Sequence, residues 1–155
     1  MQEIISLSLQ TNDTSETLAL GRAGEELAAR FLRKTGYRLV AANFVAPVGR
    51  NARGALVTGE IDLVALDGDV LCFVEVKTRR SDDFASPLAA IDLRKQRQIT
   101  RTARVYRRIF DLAGIDYRFD AVSIVIGKEK RPKIELHRAL WTEEKFRKRF
   151  WSAEL

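Results

Sequence analysis

The sequence predicts a mixed α/β domain, and two observations carry this prediction. Helical apolar periodicity occurs in two separate stretches, near residues 17–32 and 87–113. Between and after them lie short apolar runs of β-strand character, bounded by glycine, proline and aspartate. The resulting order of helix, three strands, helix and two strands is typical of one mixed sheet flanked by helices.

The composition indicates the broad class of protein. A length of 155 residues, with 46% hydrophobic and 31% charged residues, suits one folded domain with its own core. The formal net charge of +6 favours a polyanionic partner, although ribosomal and membrane-surface proteins share this property. A single cysteine, Cys72, excludes an internal disulfide, and residues 1–9 lack the features of a signal peptide. Since no apolar run approaches the length of a membrane span, we expect a bacterial cytoplasmic protein without a membrane partner.

The first predicted helix covers residues 17–32. Thr14 or Ser15 is predicted to cap its start, and Gly36 is predicted to end it. The polar residues before it, 1–14, are predicted to form a flexible extension. Its apolar stripe consists of alanine, leucine and phenylalanine at helical spacing, namely Ala23, Leu27, Ala28, Phe31 and Leu32.

Strand character returns five times along the chain. The second and third strands are separated by Asp67-Gly68-Asp69, which predicts a hairpin. The basic, glycine-containing stretch 47–58 is predicted to be a long loop or a wide hairpin tip. It would be either a solvated insertion or a mobile arm over a phosphate backbone. Residues 141–155 form an aromatic and basic C-terminal extension, which leaves 15–140 as the folded domain. The five predicted strands cover residues 37–44, 60–66, 70–77, 117–126 and 133–139.

A second helix is predicted to start at Ser86-Pro87, a hydroxyl cap followed by proline, and to reach Ala113 with a break near Asp92. Seven basic residues and no acidic one lie between residues 94 and 108. A solvated helix normally alternates charge sign, so this helix is predicted to face a polyanion. Its apolar side uses Ile99, Ala103, Tyr106 and Phe110. The residues predicted to bind nucleic acid are Arg79 and Arg80 of the preceding loop and Lys95, Arg97, Arg101, Arg104 and Arg108 of the helix.

The candidate metal-binding and catalytic residues lie on the predicted hairpin. Asp62 belongs to its first strand, whereas Glu75 and Lys77 belong to the second and point to one face because side chains alternate. Charges within apolar strands are costly unless they act together. Mg²⁺ and Mn²⁺ prefer oxygen ligands, so Asp62, Glu75 and the carbonyl of Val76 are predicted to bind one of them. If the first helix packs beside the hairpin, Glu25 would either complete the acidic cluster or bind a metal-bound water.

In this interpretation Lys77 orients the attacking hydroxide or stabilises the developing negative charge on a phosphate. The alternative is a Glu75–Lys77 salt bridge on an exposed sheet face, with Asp62 as an acid near a turn. Two features favour the metal site, because the acids follow apolar runs typical of buried strands and lie across one short turn. The only histidine, His137, is assigned a structural or surface role, which argues against histidine-metal nucleases and Ser-His triads.

Several motifs together resemble the YraN-type family of bacterial proteins. The central ones are Gly59-Glu60-Ile61-Asp62-Leu63 and Phe73-Val74-Glu75-Val76-Lys77. That family is similar to archaeal Holliday-junction resolvases and belongs among the PD-(D/E)xK nucleases, whose restriction-endonuclease-like core is a mixed sheet flanked by helices. The likeness extends to Gly21-x-x-Gly24-Glu25, to Lys95-Gln96 and to Arg118-Phe119-Asp120-x-Val122.

The resemblance implies a Mg²⁺- or Mn²⁺-dependent endonuclease acting on branched or structured DNA. It implies Asp62 and Glu75 as metal ligands, Lys77 as the catalytic lysine and Glu25 as an auxiliary acid, and we assign no catalytic role to Asp120. A two-fold substrate such as a junction would suit a homodimer. The alternatives are a non-catalytic nucleic-acid-binding protein that retains the fold, and a structural or ribosome-associated basic protein. The segments 46–58 and 1–14 depart from the family pattern.

Overall fold

The computed structural model describes residues 2–81, 86–128 and 131–147, and of residues 2–13 it describes the backbone alone. Among the described residues, no helix is both long and apolar enough to cross a bilayer. The chain forms an α/β domain in which helices flank a five-stranded mixed sheet. Its elements are α1 Gln2–Lys34, β1 Arg38–Arg50, β2 Leu56–Asp67, β3 Val70–Arg80, a 3-10 helix Pro87–Ala90, α2 Leu93–Ile109, β4 Tyr117–Ile126, β5 Lys133–Trp141 and a second 3-10 helix Glu143–Phe146.

The sheet keeps the order of the chain, β1-β2-β3-β4-β5. Strands β3 and β4 run parallel and are connected through α2, whereas the other neighbours pair antiparallel. The parallel pair stays in register from Leu71↔Tyr117 to Arg80↔Ile126. The predicted mixed sheet and the hairpin between β2 and β3 are therefore confirmed.

Helix α1 covers one face of the sheet through a buried line of Gly24, Ala28 and Leu32. The predicted stripe lies partly beside this line, since Ala23 is exposed. Glycine at position 24 permits the close packing, because a Cβ built there would lie 1.8 Å from Thr78 Oγ1 on β3. The close approach of α1 to β3 therefore depends on the absence of a side chain at Gly24 as well as on the apolar side chains of Ala28 and Leu32.

The two ends of α1 differ in how well the sequence predicts them. Gly36 ends the helix as expected, with φ 99° and with the N–H of Tyr37 donating to the carbonyl of Leu32 at 2.9 Å. The start was predicted wrongly, because helical backbone continues back to residue 2 and neither Thr14 nor Ser15 is a cap. The segment predicted to be a loose extension is polar but contains no glycine or proline that would interrupt a helix.

Helix α2 starts after the predicted break, where Asp92 accepts a hydrogen bond from the backbone N–H of Lys95 at 2.9 Å. The predicted cap at Ser86 is wrong, because its side chain makes no capping bond and the following residues form only a 3-10 helix. Asp92 is a stronger cap than Ser86 because its carboxylate accepts from the N–H groups of the first helical turn. The helix proper is therefore shorter at its start than the proline signal suggested.

The apolar side of α2 packs on the face of the sheet opposite α1. Ile99, Ala103 and Tyr106 are buried there, as predicted. Phe110 is 53% exposed, because the helix ends at Ile109 and Phe110 already belongs to the turn that follows. Two apolar clusters result, one on each face of the sheet.

The stretch 47–58 is a continuation of two strands. Strands β1 and β2 stay paired as far as Arg50 and Leu56, so that 51–55 alone form the tip. The side chain of Asn51 accepts two backbone N–H bonds there, each at 3.0 Å. The predicted hairpin is confirmed in place of a long loop, while the solvated insertion and the mobile arm over a phosphate backbone both stay predictions.

The end of β5 belongs to the core. Trp141, which was predicted to start a C-terminal extension, is buried as the last residue of the strand. Its ring stacks on Phe119 at 4.8 Å, and its Nε1 donates to Thr100 Oγ1 at 2.9 Å. The remainder of the predicted extension from 148 to 155 lies outside the described residues.

Candidate active site

The strands β2 and β3 separate at Asp62. Their backbone pairing extends to Leu63↔Val74 and stops there. At the preceding residue of β2, the side chain of Asp62 replaces the backbone pairing between the strands, and its Oδ2 accepts the N–H of Val76 at 2.8 Å. The gap between the strands therefore holds a carboxylate directly beside the backbone that carries Glu75.

The carbonyl of Val76 opens into the same gap. In an extended strand, the N–H and C=O of one residue point toward the same neighbouring strand. Because the N–H of Val76 points to Asp62, its carbonyl oxygen faces the side of β3 on which Asp62 lies. The predicted third oxygen donor is thus on the correct side of its strand.

Glu75 and Lys77 project to the face of the sheet that α2 covers. Val74 and Val76 pack into the cluster under α1, so alternation places their neighbours on the opposite face. Lys95, in the first turn of α2, lies with its Nζ 3.3 Å from Glu75 Oε1. The first turn of the basic helix therefore reaches the predicted catalytic strand.

The predicted catalytic and metal-binding residues meet in one cavity of about 560 Å³ between α1, β2, β3 and α2. Asp62 and Glu75 both line it, and their side chains are close enough to interact. Three of the residues predicted to bind nucleic acid line it as well. The lining includes Glu25, Asp62, Glu75, Val76 and Lys77 together with the basic Arg79, Arg80 and Lys95.

Glu75 is buried in an environment that disfavours its charge. It is 4% exposed, and its Oε2 is buried without a hydrogen-bond partner among the described residues. Burial and the negative charge of Asp62 raise the pKa of Glu75 to about 8, against the opposing effect of Lys95. Glu75 therefore keeps its proton to a higher pH than an exposed glutamate does.

Glu25 of α1 faces the same carboxylate. Burial and the charge of Asp62 raise the pKa of Glu25, whereas a hydrogen bond from Asn43 lowers it. Asn43 lies on β1 between the residues opposite Leu63 and Ile61, and its φ of 51° falls in the left-handed region that asparagine tolerates. Sequence reasoning missed this residue, although an asparagine within an otherwise apolar strand was an available signal.

The donor set fits a hard divalent cation. Two carboxylates and one backbone carbonyl are all oxygen donors, and Mg²⁺ keeps several waters beside such a set. Within residues 2–81, 86–128 and 131–147 no group of three or more His, Cys, Asp or Glu side chains is arranged to hold a metal. The specific observation in favour of a cation is the buried Oε2 of Glu75, which lacks a partner among the described residues.

The other residues predicted to bind nucleic acid lie along α2 and have different surroundings. Arg101 and Arg108 are exposed. Arg104 donates from Nε and Nη2 to Glu143 Oε1 at 2.9 and 2.6 Å. The guanidinium of Arg97 lies 5.7 Å from the centre of the Phe146 ring. Part of the predicted arginine surface is thus in contact with residues that follow β5.

His137 is half-buried on β5, away from the cavity. Its Nε2 lies 3.2 Å from Ser123 Oγ and 3.8 Å from a carboxylate oxygen of Glu135. A Ser-His-acid relay needs the acid on the second ring nitrogen, so two partners on one nitrogen do not form such a triad.

The candidate site lies within the part of the chain that matches a known protein family. The model of the uncharacterised protein family UPF0102 matches residues 24–124, which span the candidate site. A UPF0102 protein of Solibacter usitatus is 46% identical over 115 residues, covering 74% of this chain and 80% of that protein. One of Chlorobium chlorochromatii is 39% identical over 140 residues, covering 90% and 97%. One of Alkaliphilus metalliredigens is 38% identical over 113 residues, covering 73% and 90%.

Among solved structures, one chain aligns at 13% identity with a TM-score of 0.40, over 93% of this chain and 62% of that chain. A likeness of this degree carries no weight for fold or function.

Proposed function

We propose that this chain, which belongs to the uncharacterised protein family UPF0102, is a metal-dependent endonuclease that hydrolyses phosphodiester bonds in branched or otherwise structured DNA. The observation that carries the proposal is the meeting of Asp62, Glu75 and Lys77 in one cavity where β2 leaves β3. A buried carboxylate that its own chain leaves partly unbonded is expensive unless a further partner completes it. A cation accompanied by a phosphate is the partner that suits this donor set.

Asp62, Glu75 and the carbonyl of Val76 would hold Mg²⁺ or Mn²⁺. When bound, such a cation lowers the pKa of a water and offsets the negative charge of the phosphate. Its positive charge would also offset the repulsion from Asp62 that contributes to the raised pKa of Glu75. Because Glu75 holds its proton up to about pH 8 in the metal-free site, loading would release that proton and should become more favourable as the pH rises.

The side chains around the metal position have separable roles. Lys77 carries three N–H donors on the same face as Glu75 and would orient the attacking water and stabilise charge on the phosphate. Glu25, whose pKa is raised, would take up a proton beside Asp62. Arg79 and Arg80 line the cavity and attract the phosphate backbone.

A second candidate function is nucleic-acid binding without cleavage. The observation that favours it is the contact of 3.3 Å between Lys95 Nζ and Glu75 Oε1, because a lysine ammonium can occupy the place of a cation beside a carboxylate. In that case the fold and the basic residues would serve binding alone.

The test compares metal-dependent cleavage across variants. Wild-type protein with Mg²⁺ or Mn²⁺ is incubated with junction, flap, single-stranded and duplex DNA. We expect cleavage of branched DNA, and a loss of about 100-fold or more for Asp62→Asn and Lys77→Ala. Asp69→Asn, an exposed acid in the turn of the same hairpin, should retain full activity. Retained DNA binding with no cleavage of any substrate by the wild type would establish the second candidate instead.

A further inference from the structure

Glu143, in the segment 142–147 that follows β5, is enclosed by basic and hydroxyl donors. Its Oε1 accepts from Arg104 at 2.9 and 2.6 Å, and its Oε2 lies 4.0 Å from Arg107 Nη1. The hydroxyl of Tyr117 also donates to Oε2. Two guanidinium groups and a phenol around one carboxylate form an arrangement that would receive a phosphate equally well.

Neighbouring residues of the same segment extend the contact along α2. Phe146 lies against the guanidinium of Arg97, with 5.7 Å between the guanidinium carbon and the ring centre. Lys145 Nζ donates to Gln96 Oε1 at 3.1 Å. The segment 142–147 therefore occupies part of the helix face whose arginines the sequence assigned to nucleic acid.

The contact around Glu143 is strongly charge-assisted but incomplete. Although burial acts in the opposite sense, hydrogen bonds from Tyr117 and Arg104 lower the pKa of Glu143, so the carboxylate stays charged. Arg107 stacks on the Tyr117 ring with 3.8 Å to its centre, yet its Nε is buried without a partner among the described residues. A buried donor without an acceptor is costly, so the closed arrangement leaves Arg107 partly unsatisfied.

The segment 142–147 follows directly on a buried residue of the core. Trp141 before it is buried in the core, whereas Thr142 is exposed and the 3-10 helix Glu143–Phe146 buries none of its residues. Short elements with few buried contacts open at low free energy while the rest of the domain stays folded. Opening of this short element, in which Phe146 packs at the edge of the core, would release Glu143 from the arginines while the paired strands stay folded.

We propose that Glu143 is an intramolecular competitor for nucleic-acid phosphates at Arg104 and Arg107. This inference rests on the proposed function, since it takes the arginine face of α2 as a nucleic-acid surface. Because the carboxylate is tethered beside the arginines, its local concentration far exceeds that of a free phosphate. In the wild type, nucleic-acid phosphates therefore contact α2 through its exposed arginines, whereas Arg104 and Arg107 stay with Glu143.

The experiment uses the full chain and a fluorescent four-way DNA junction, with affinity measured between 50 and 200 mM salt. Glu143→Gln releases the two arginines, whereas Glu144→Gln makes the same charge change at an exposed neighbour. Each new phosphate contact steepens the log–log salt dependence by about 0.9. We expect Glu143→Gln to steepen it by up to about 1.8 and to bind more tightly at low salt, and Glu144→Gln to match the wild type.

A second pair of variants keeps the inference testable should Glu143→Gln fold poorly. In the wild-type background, Arg101→Gln removes an exposed arginine and should reduce the salt slope by about 0.9. Arg104→Gln should leave the slope nearly unchanged there, because Glu143 already occupies this arginine. Equal losses for Arg101→Gln and Arg104→Gln, or identical slopes for the two glutamate variants, would overturn the inference.

Elution from heparin separates this inference from the nuclease proposal. Glu143→Gln should elute at higher salt than Glu144→Gln whether or not the protein cleaves DNA. If no DNA is cleaved but the two variants still elute at different salt concentrations, the nuclease proposal is wrong and the competition at Arg104 is supported. Equal elution and equal DNA salt slopes would remove the competition at Arg104 alone, while cleavage of junction DNA persisted.

Discussion

Asp120 and Glu75 are buried carboxylates on the adjacent parallel strands β4 and β3, and they project to opposite faces of the sheet. Asp120 is surrounded by donors from three parts of the chain. Arg118 Nε and the backbone N–H of Ala139 each donate to its Oδ1 at 2.9 Å, and the hydroxyl of Tyr37 donates to Oδ2 at 3.1 Å. The network ties β4 and β5 to the start of β1.

Glu75 has much less around it. Lys95 contacts Oε1, and Oε2 has no partner among the described residues, although Asp62 adds a second negative charge nearby. A buried charge with a full set of donors holds a fold together, whereas one left incomplete disfavours the folded state. The difference teaches that Asp120 serves the architecture, whereas Glu75 is the carboxylate left available for the ligand that we propose.

The largest expected effect is on stability at Asp120. Replacing it with alanine leaves Arg118 and Tyr37 without their shared acceptor, and we expect a loss of about 3 kcal/mol in the free energy of unfolding measured with urea. Glu75→Gln, measured alongside, should leave stability unchanged or increase it at pH 7. Similar losses for the two variants would contradict the contrast between the two carboxylates.

The next effect concerns the contact that brings α1 to the site. Gly24→Ala would place a methyl group 1.8 Å from Thr78 Oγ1, so α1 must shift and stability should fall by about 1–3 kcal/mol. Because Glu25 is the next residue, DNA cleavage should fall as well. Gly21→Ala is the matched control, since a Cβ there meets nothing within 4 Å and should stabilise the helix by about 0.5–1 kcal/mol. Equal behaviour of the two variants in thermal melting would show that α1 packs differently.

The raised pKa of Glu75 predicts a pH dependence of stability. Between its ordinary value of 4.5 and about 8 the folded protein holds this proton more tightly than the unfolded chain does. Its stabilising contribution is therefore complete below pH 4.5 and is lost as the pH rises toward 8, by about 1 kcal/mol per pH unit at the steepest. Subtracting the urea stability of Glu75→Gln at each pH isolates this contribution, and a flat difference from pH 5 to 8 would contradict it.

Magnesium should reverse part of that loss. A cation binds the charged carboxylates, so Mg²⁺ at about ten times its Kd should stabilise the wild type by about 1.4 kcal/mol at pH 8. The gain should be smaller at pH 6 and nearly absent in Glu75→Gln. A gain independent of both pH and Glu75 would point to a cation site elsewhere.

The smallest expected effect is at Asn43. Asn43→Gly keeps the left-handed backbone but removes the amide that lowers the pKa of Glu25. That pKa should rise further, and the acidic limb of the pH–cleavage profile should move to higher pH by a fraction of a unit. The measurement is cleavage rate against pH, and an unmoved limb would show that Asn43 does not act through Glu25.

The sequence predicted that Asp62, Glu75 and Lys77 meet because these residues are close together along the chain. Alternation within β3 suffices to place Glu75 and Lys77 on one face, and the turn at Gly68 brings Asp62 near them. The bond from Val76 to the Asp62 side chain was not predictable in the same way. It exists because β2 leaves β3 at that residue, and strand divergence depends on the packing of α1 and α2.

The missed features come from contacts between distant segments. Arg104 and Glu143 are 39 residues apart, and helical periodicity identifies the arginine face without revealing which acid will meet it. The stretch 47–58 shows a related limit of prediction from sequence, because Gly49 and Gly54 are typical of loops. Cross-strand partners hold it in extended pairing nevertheless, so tertiary context overrides local propensity.

Past Asp62, strands β1 and β2 continue as a two-stranded ribbon that pairs only with itself among the described strands. Near its base, Gln98 Nε2 of α2 donates to the carbonyl of Thr58 at 2.9 Å, and Gly59 packs against Thr102. The tip at 51–55 is exposed, and at about 3.3 Å per residue it stands some 20 Å from Asp62. The chain can therefore be opened or fused to a fluorescent reporter at this tip, where an inserted segment meets no core residue yet remains close enough to sense a bound nucleic acid.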